Sequence, residues 1–274
     1  MQASAQKERS EVLHEAQMPG PEQWMSTISN CRGRGAGGLT LAGLALLAAF
    51  ILTLALGLSA CENVASYTPP SLVRVIDASY IAPAVNVEAE GRLIAGNIGR
   101  GTITPYGTLP ASNDASIVVT AATGGAALVT TQGTLQAGNQ DSIFLTDNGA
   151  APTSYQVTVL QDQNTPAPAG HSDFRFLNQA PKTGPVDVYM IPSASTLADT
   201  VPLVTALPVG GTAGYISFTS QTVTMVITPT GVTTPQYTSA SLALTGGEVR
   251  TVLIVDTQLT SNPPVEVFMA DDVN

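Results

Sequence analysis

The chain repeats itself, and this internal repeat limits the folds that the sequence can adopt. The seven residues from Leu72 match the seven from Asp173 at a constant offset of 101 residues. Matched positions then continue in chain order while the offset drifts upward by a few residues, which is typical of a duplicated domain with loop insertions. The later pairs, at offsets of 101, 109, 109 and 110, are Asn86 with Asp187, Tyr106 with Tyr215, Asp147 with Asp256, and Tyr155–Val159 with Val265–Met269.

The residue pattern within each copy is that of β-strands. Short apolar or alternating runs are separated by turn formers such as Gly124-Gly125 and Gly210-Gly211, and no window keeps helical spacing for long. Many short strands at this spacing favour a sandwich over alternating strands and helices. The sequence therefore predicts an all-β chain with two tandem antiparallel, Ig-like β-sandwich domains. The ten predicted strand runs are Leu72–Ile76, Ala84–Val87, Ser116–Val119, Ile143–Leu145, Tyr155–Leu160, Phe174–Leu177, Val186–Met190, Val223–Ile227, Thr251–Val255 and Val265–Met269.

The predicted domain boundaries follow from the repeat and from one proline-rich stretch. The stretch TPAPAG, residues 165–170, alternates proline with small residues and predicts a semi-rigid linker. The first sandwich repeat is then residues 71–164 and the second is residues 171–274. Each has the length of one sandwich domain, about 100 residues.

The opening of each copy resembles the DUF4397 family. Residues 73–87, VRVIDASYIAPAVNV, are similar to its opening pattern V-R-V-x-N/H-A-S-P-x-A-P-x-V-D-V, with Tyr80 where proline is usual. The first copy also matches at 91–93, at Tyr106 and at the LQAG turn of residues 135–138. The resemblance implies exported, often tandem, β-sandwich modules on bacterial envelope proteins, with no assigned activity. In the second copy Arg175, Asn178, residues 185–189 and Tyr215 fit the pattern, and Gln179-Ala180-Pro181 departs from it.

The first 60 residues have the features of an export signal. Leu39–Leu58 holds twenty uncharged residues, and Arg32 and Arg34 lie just ahead of it. The run closes on Leu58-Ser59-Ala60-Cys61, which resembles the bacterial lipobox. That resemblance implies cleavage before Cys61, acylation of its thiol and a lipidated tether over residues 61–70.

Two alternatives accompany this interpretation of residues 1–60 as a leader. Twenty apolar residues also suffice for an uncleaved membrane anchor. Residues 1–24 carry two cations against four acids, unlike a cationic signal region, so Met25 is an alternative start. Glu62, rather than Asp, follows the cysteine, and by resemblance to the bacterial sorting rule the outer membrane is expected over the inner membrane.

Charge and cysteine content exclude several classes of function. Four of the ten cations and four of the twenty acids precede residue 61, so the remainder keeps a net charge of −10. Nucleic acid is therefore not expected as a partner, because it requires a cationic footprint. Cys31 leaves with the leader and Cys61 is acylated, so no disulfide or thiolate zinc site is expected. His171, in the linker region, is the single histidine after the leader, so neither a catalytic triad, a metal nor another cofactor is predicted.

The carboxylates are the remaining reactive groups. Asp271 and Asp272, with Asp162 at the equivalent end of the first copy, could supply oxygen ligands to Ca²⁺. No calcium-loop spacing is present, so a solvated, fraying tail is the preferred interpretation. Glu88 and Glu90 share a strand face, but they adjoin a turn, where charge protects a sheet edge from pairing.

Two arginines at equivalent positions are predicted to be structural. Arg74 and Arg175 lie inside apolar strands, where a guanidinium must be paired and hydrogen-bonded. We expect Arg175 to pair with Asp187 on a neighbouring strand, and Arg74 to bond to backbone or to Asn86. Tyr106 and Tyr215 are expected to be strand-end tyrosines with their hydroxyls hydrogen-bonded to backbone.

The sequence thus predicts a lipid-anchored cell-envelope protein with a non-catalytic structural, adhesive or binding role. The expected contacts are the membrane, through the anchor, and an envelope protein or polysaccharide. One alternative is an envelope hydrolase that acts on polysaccharide or peptide through carboxylates converging in a pocket. Another is an assembly subunit that uses strand addition, which requires a long, unpaired edge with few charges. The oligomeric state is left open.

Overall fold

The computed structural model describes residues 67–149, 154–257 and 264–273. The apolar run Leu39–Leu58, Cys61 and most of the predicted tether lie outside these residues. Within the described ranges, no helix has the length and apolar character needed to cross a membrane. The described residues belong to one compact unit.

The described residues form sixteen strands and a short 3-10 helix, Leu197–Asp199. The strands are β1 (Ser71–Asp77), β2 (Val85–Ala89), β3 (Arg92–Ile98), β4 (Gly107–Leu109), β5 (Ser112–Ala121), β6 (Ala127–Leu135), β7 (Gln140–Asp147), β8 (Tyr155–Asp162), β9 (His171–Gln179), β10 (Val186–Pro192), β11 (Val204–Leu207), β12 (Thr212–Thr219), β13 (Thr222–Pro229), β14 (Tyr237–Ala243), β15 (Val249–Asp256) and β16 (Val265–Asp271).

These strands build four four-stranded sheets that pair into two sandwich-like domains. Sheet I has the order β4-β1-β7-β8 and sheet II the order β3-β2-β5-β6, and together they form module 1. Sheet III has the order β12-β9-β15-β16 and sheet IV the order β11-β10-β13-β14, and they form module 2. Raising every strand number of module 1 by eight gives the strand orders of module 2. The all-β, two-sandwich prediction is confirmed.

One pairing in each module departs from the antiparallel rule. Strand β1 runs parallel to β7, and β9 runs parallel to β15, whereas the other ladders are antiparallel. Both parallel pairs lie at the centre of sheets I and III, which are covered on both faces. Parallel strands are usually buried in this way, and they have nearly continuous apolar sequences.

Apolar side chains fill three layers. Val73 and Val75 of β1 face the core between sheets I and II, and Phe174 and Phe176 of β9 face the core between sheets III and IV. The third layer joins the modules, because alternate residues of a strand point to opposite faces. It contains the buried side chains Ile76, Phe144, Leu177, Leu253, Val255 and Ala270.

The segment predicted as a linker packs against module 2. Residues 165–170 connect β8 to β9, and the Ala167 N–H donates to the Gly247 carbonyl at 3.3 Å. A Cβ atom added at Gly246 would lie 2.8 Å from the Gly170 nitrogen, so Gly246 must lack a side chain for the linker to approach this closely. The connection therefore lies against the turn that precedes β15.

Candidate functional site

The side chain of Arg74 crosses from module 1 to module 2. It stands on the face of β1 opposite Val73 and is 3% exposed. Its Nε donates to Ser142 Oγ at 2.7 Å and its Nη1 to the Asp271 carbonyl at 2.5 Å. Its Nη2 donates to the carboxylate of Asp272, also in module 2. Arg74 therefore joins the start of module 1 to the end of module 2.

Arg175 makes the same set of contacts in the opposite direction. Its Nε donates to Thr251 Oγ1 at 3.0 Å, within module 2. Its Nη1 donates to the Gln161 carbonyl at 2.6 Å and its Nη2 to Asp162 Oδ1 at 2.5 Å, both in module 1. Each arginine is thus paired with the carboxylate that ends the other module.

Hydroxyl groups of its own module hold each carboxylate in place. Asp162 Oδ2 accepts hydrogen bonds from Ser142 Oγ at 2.6 Å and from the Tyr106 hydroxyl at 2.7 Å. Asp272 Oδ2 accepts them from Thr251 Oγ1 at 2.7 Å and from the Tyr215 hydroxyl at 2.8 Å. We call Arg74, Asp162, Arg175 and Asp272, with Tyr106 and Tyr215, the exchanged cluster.

The exchanged cluster balances two buried positive charges against two negative ones. The guanidinium carbons of Arg74 and Arg175 lie 4.7 and 4.9 Å from the ring centroids of Tyr106 and Tyr215. Burial, reinforced by the nearby Asp162, raises the pKa of the Asp272 carboxyl, and the arginines oppose that shift. Burial is also the largest cause of the raised pKa of both tyrosine hydroxyls. The arrangement is that of a structural ion-pair network with charge-assisted hydrogen bonds.

The predicted partners of the two arginines are corrected in part. Of the two alternatives predicted for Arg74, the bond to backbone is confirmed, at the Asp271 carbonyl. Arg175 does not pair with Asp187, whose Oδ1 accepts the Ala206 N–H at 2.7 Å and whose Oδ2 accepts the Gly231 N–H at 3.0 Å. Asn86 does not bond to Arg74, because its Oδ1 accepts the Asn97 N–H at 2.8 Å. The side chains of Asp187 and Asn86 instead accept hydrogen bonds from backbone N–H groups of their own module.

The predicted backbone bonds of the two tyrosines have different outcomes. The Tyr106 hydroxyl donates to the Asp162 carboxylate, where a bond to backbone was predicted. The Tyr215 hydroxyl does bond to backbone as predicted, because it accepts the Gln163 N–H at 3.1 Å, and it also donates to Asp272. Asp272 is not part of a solvated tail, since its side chain is 0% exposed. Asp271 does remain at the surface, where it pairs with Arg250 at 2.8 Å.

The other polar candidates stay apart from the exchanged cluster. Glu90 Oε1 accepts the Ser116 N–H at 2.7 Å beside the β2–β3 turn. His171 Nδ1 lies 3.3 Å from the Ala169 carbonyl at the surface. In the ranges that the structure describes, no three His, Cys, Asp or Glu side chains are grouped so that they could hold a metal ion.

Two open clefts lie beside the end of β16. One, of about 320 Å³, is lined by Arg74 and residues 103–106 of module 1 and by residues 269–271 of module 2. The other, of about 400 Å³, lies over the turn before β15 and is lined by residues 246–250, Asp271 and Val273. Tyr106 of the exchanged cluster lines the first cleft.

One family model matches part of the chain. The model described as "Domain of unknown function (DUF4397)" matches residues 71–189, that is, from β1 into β10. No curated protein sequence matches the chain. Among solved structures, the chain is similar to the family CBM26 module CBMbc from Eubacterium rectale Amy13K, in complex with maltoheptaose. That similarity has a TM-score of 0.21 and 11% identity over 72% of this chain and 96% of the module.

Proposed function

We propose that the chain is a cell-envelope lipoprotein with a non-catalytic structural, adhesive or binding role. Acylation of Cys61 would hold it in the outer membrane, and residues 171–274 would be a second module of the DUF4397 type. The shared strand order of the two modules and the matched Arg–Asp–Tyr positions support the second module. Its partner would be an envelope protein or an envelope polysaccharide.

The observation that carries the non-catalytic role is how the converging carboxylates are used. A hydrolase of the predicted type needs carboxylates that face substrate and water in an open cleft. Asp162 and Asp272 do converge from the ends of different strands, but both side chains are 0% exposed, and each pairs with arginine and accepts hydrogen bonds from two hydroxyl groups. Their hydrogen-bonding capacity serves the contact between the modules.

The lipid anchor is tested by the intact mass of the protein extracted from membranes with detergent. The expected mass corresponds to residues 61–274 plus acyl chains, with no acylated species for Cys61→Ala. A mass that retains residues 25–60 would instead mean an uncleaved anchor, and the outer-membrane assignment would then be wrong. The result does not depend on the sandwich fold or on the non-catalytic role.

A role in strand addition is a second candidate, and one specific observation favours it. Strand β6 has nine residues with no charge and no proline, and among the described strands it pairs with β5 alone. Proteins usually place charge or proline on such edges, because an unprotected edge offers its backbone to other strands. Strand β14, its counterpart in sheet IV, is also uncharged. Both edges belong to the sheets that do not take part in the contact between modules.

This candidate is tested by the size of the native complex in detergent extracts. Thr130→Lys places a charge on β6 at an exposed position and is expected to reduce a larger complex to the size of one chain. Leu93→Lys is the control, because it lies at the exposed edge strand β3, which already carries Arg92. A complex of unchanged size in Thr130→Lys would rule out β6 as the contact.

A further inference from the structure

Two turns in equivalent places have the same backbone hydrogen bonds. The first turn is residues 99–102, after β3, and the second turn is residues 208–211, after β11. Each turn exchanges two hydrogen bonds with one residue of the first strand of its module. The donor N–H groups and their acceptor carbonyls are Asp77 to Thr102 at 3.0 Å, Gly101 to Asp77 at 2.7 Å, Asn178 to Gly211 at 3.1 Å and Gly210 to Asn178 at 2.7 Å. Asp77 and Asn178 therefore hold the two turns in the same way.

The side chains of Asp77 and Asn178 are also placed alike. Asp77 Oδ1 accepts the Ser79 N–H at 3.1 Å, and Asn178 Oδ1 accepts the Ala180 N–H at 3.0 Å. Both residues are buried. Because Oδ1 has the same role in each, the other terminal atom takes the same place, and that atom is Oδ2 in Asp77 and Nδ2 in Asn178.

In module 2 this second atom ties the strand to the residue that precedes the turn. Asn178 Nδ2 donates to the Leu207 carbonyl at 2.9 Å. The equivalent carbonyl in module 1 belongs to Ile98, because Ile98 pairs with the first residue of β2 as Leu207 pairs with the first residue of β10. Asp77 Oδ2 is buried and has no hydrogen-bond partner in the described ranges. A carboxylate oxygen and a carbonyl oxygen are both acceptors, so a bond between them requires a proton on Asp77.

The surroundings of Asp77 favour that proton. Burial is the main cause that raises the pKa of Asp77 to about 6, and the hydrogen bond from the Ser79 N–H opposes the shift. Two charged groups also act on it: Asp147, at the end of the neighbouring β7, raises the pKa, and Arg100, in the first turn, lowers it. The Asp147 carboxylate is itself held in place, since it accepts hydrogen bonds from Ser79 Oγ at 2.6 Å and from the Tyr80 N–H at 2.8 Å.

The first turn also carries a contact between the modules. Arg100 pairs with Glu266 of β16, and its guanidinium carbon lies 5.9 Å from the ring centroid of Phe268. A Cβ atom added at Gly101 would lie 3.5 Å from Cε1 of the same ring. The first turn therefore packs directly on module 2, and a change in its conformation acts on that contact.

We propose that protonation of Asp77 switches the first turn between a closed and an open form. In the closed form the protonated carboxyl donates its Oδ2 hydrogen to the Ile98 carbonyl, as Asn178 Nδ2 does to the equivalent carbonyl of module 2. When the proton leaves to solvent, a buried charge faces a carbonyl oxygen, and the turn opens so that water reaches the carboxylate. Opening withdraws Arg100 from module 2. The contact between modules at this end is therefore tighter in acid than at neutral pH.

The test is amide hydrogen exchange of the full-length protein at pH 5 and at pH 7.5, with exchange times scaled for the faster intrinsic exchange at the higher pH. The protection factor of the first turn should fall about tenfold between these two values. That ratio follows if the pKa of Asp77 is about 6 in the closed form and ordinary in the open form. The second turn is the control within the same molecule, because Asn178 does not titrate, and its protection should stay within about twofold.

Two variants assign the effect to this residue pair. Asp77→Asn should abolish the pH dependence of the first turn, and Asn178→Asp should transfer a pH dependence to the second turn. Equal changes in both turns of the wild-type protein would overturn the proposal. A pH dependence of the first turn that persists in Asp77→Asn would overturn it as well.

A fluorescent reporter tests the effect on the contact between modules. Phe268→Trp, combined with Trp24→Phe, places a single indole against the first turn. Its emission should shift to longer wavelength between pH 5 and pH 7.5 as water reaches the ring, and Asp77→Asn should remove that shift. An emission that stays constant while the first turn loses protection would overturn the link between Asp77 and module 2.

Discussion

Arg74 and Asp272 form a buried ion pair although 198 residues separate them in the chain. Arg175 and Asp162 form the reciprocal pair, and Arg74 Nη2 also lies 3.7 Å from Asp162 Oδ2, so the four charges make one network. Each module brings one arginine and one carboxylate. The network closes when the modules are in contact, which explains why charged residues can lie inside apolar strands.

The first prediction concerns the cost of breaking this network. Arg74→Ala should lower the free energy of unfolding by about 3–5 kcal/mol, because it leaves Asp272 buried without its cation. Arg175→Ala should have a similar effect, since its contacts are equivalent. The measurement is urea unfolding at pH 7.5 monitored by circular dichroism.

Arg92→Ala is the matched control for Arg74→Ala. Arg92 is exposed at the start of β3, and its loss should change stability by less than about 0.5 kcal/mol. If Arg74→Ala were as stable as Arg92→Ala, the attraction within the buried ion pair would only offset the cost of removing its charges from water. The exchanged cluster would then not account for the stability of the contact between modules.

The fold was predictable from the sequence wherever strands are buried. The ten predicted runs fall in β1, β2, β5, β7, β8, β9, β10, β13, β15 and β16, although Ala84 precedes β2. The six described strands that were not predicted are β3, β4, β6, β11, β12 and β14, and each lies at the edge of its sheet. An edge strand is partly solvated or short, so its sequence lacks the apolar alternation that indicates a strand.

The arginines were predictable as buried, hydrogen-bonded groups, and so was a backbone bond of Arg74, but their carboxylate partners were not. Local reasoning places the partner on a neighbouring strand, which led to the incorrect pairing of Arg175 with Asp187. The true partner lies across a contact between modules that strand patterns do not describe. The signal was nevertheless present, because Asp162 and Asp272 lie at the same offset as the final strands, 110 residues.

The second prediction follows from the unequal hydrogen bonding of the two tyrosines. Tyr215→Phe removes a donor to Asp272 and an acceptor for the Gln163 N–H, whereas Tyr106→Phe removes one donor. Tyr215→Phe should therefore cost about 1 kcal/mol more than Tyr106→Phe in urea unfolding. Equal costs would mean that the Gln163 hydrogen bond adds nothing.

The third prediction is a loss of stability in alkali. The pKa of Tyr106 and the pKa of Tyr215 are raised in the folded state, mainly by burial. A hydroxyl with a raised pKa releases its proton more easily in the unfolded chain, so stability is full below about pH 10 and falls as pH rises further. Urea midpoints measured between pH 8 and 11 should fall less steeply in the Tyr106→Phe, Tyr215→Phe double variant. Parallel curves would contradict this origin.

The fourth prediction uses a difference between the modules at the ends of β1 and β9. Asn178 Nδ2 donates to the carbonyls of Gly184 and Leu207 at 3.0 and 2.9 Å. Asp77 holds the equivalent position, and its buried Oδ2 has no hydrogen-bond partner in the described part of the chain. Burial is the main cause that raises the pKa of Asp77 to about 6, and Asp147 adds to it.

A carboxyl with a raised pKa binds its proton more tightly in the folded state than in the unfolded chain. The contribution of Asp77 to stability is therefore full below about pH 4 and declines as pH rises to about 6. Asp77→Asn removes the buried charge and should raise the free energy of unfolding by about 1–2 kcal/mol at pH 7.5. Near pH 4 the two proteins should have nearly equal stability. Asn178→Asp is the reverse control and should destabilise at pH 7.5.

The fifth prediction tests the contact between modules at the loop after β7. Gly149 has a φ of +70°, and a Cβ atom there would lie 2.7 Å from Cγ and 2.9 Å from Cβ of Pro181 in module 2. Gly125 has a similar φ of +65° but no atom within 4 Å of the added Cβ, so a substitution there measures the backbone strain alone.

Gly125→Ala should cost about 1–2 kcal/mol from the left-handed conformation alone. Gly149→Ala should cost about 1–3 kcal/mol more, because the rigid proline ring cannot move without shifting module 2. Urea unfolding of both variants measures that difference, and equal costs would show that Pro181 moves aside freely.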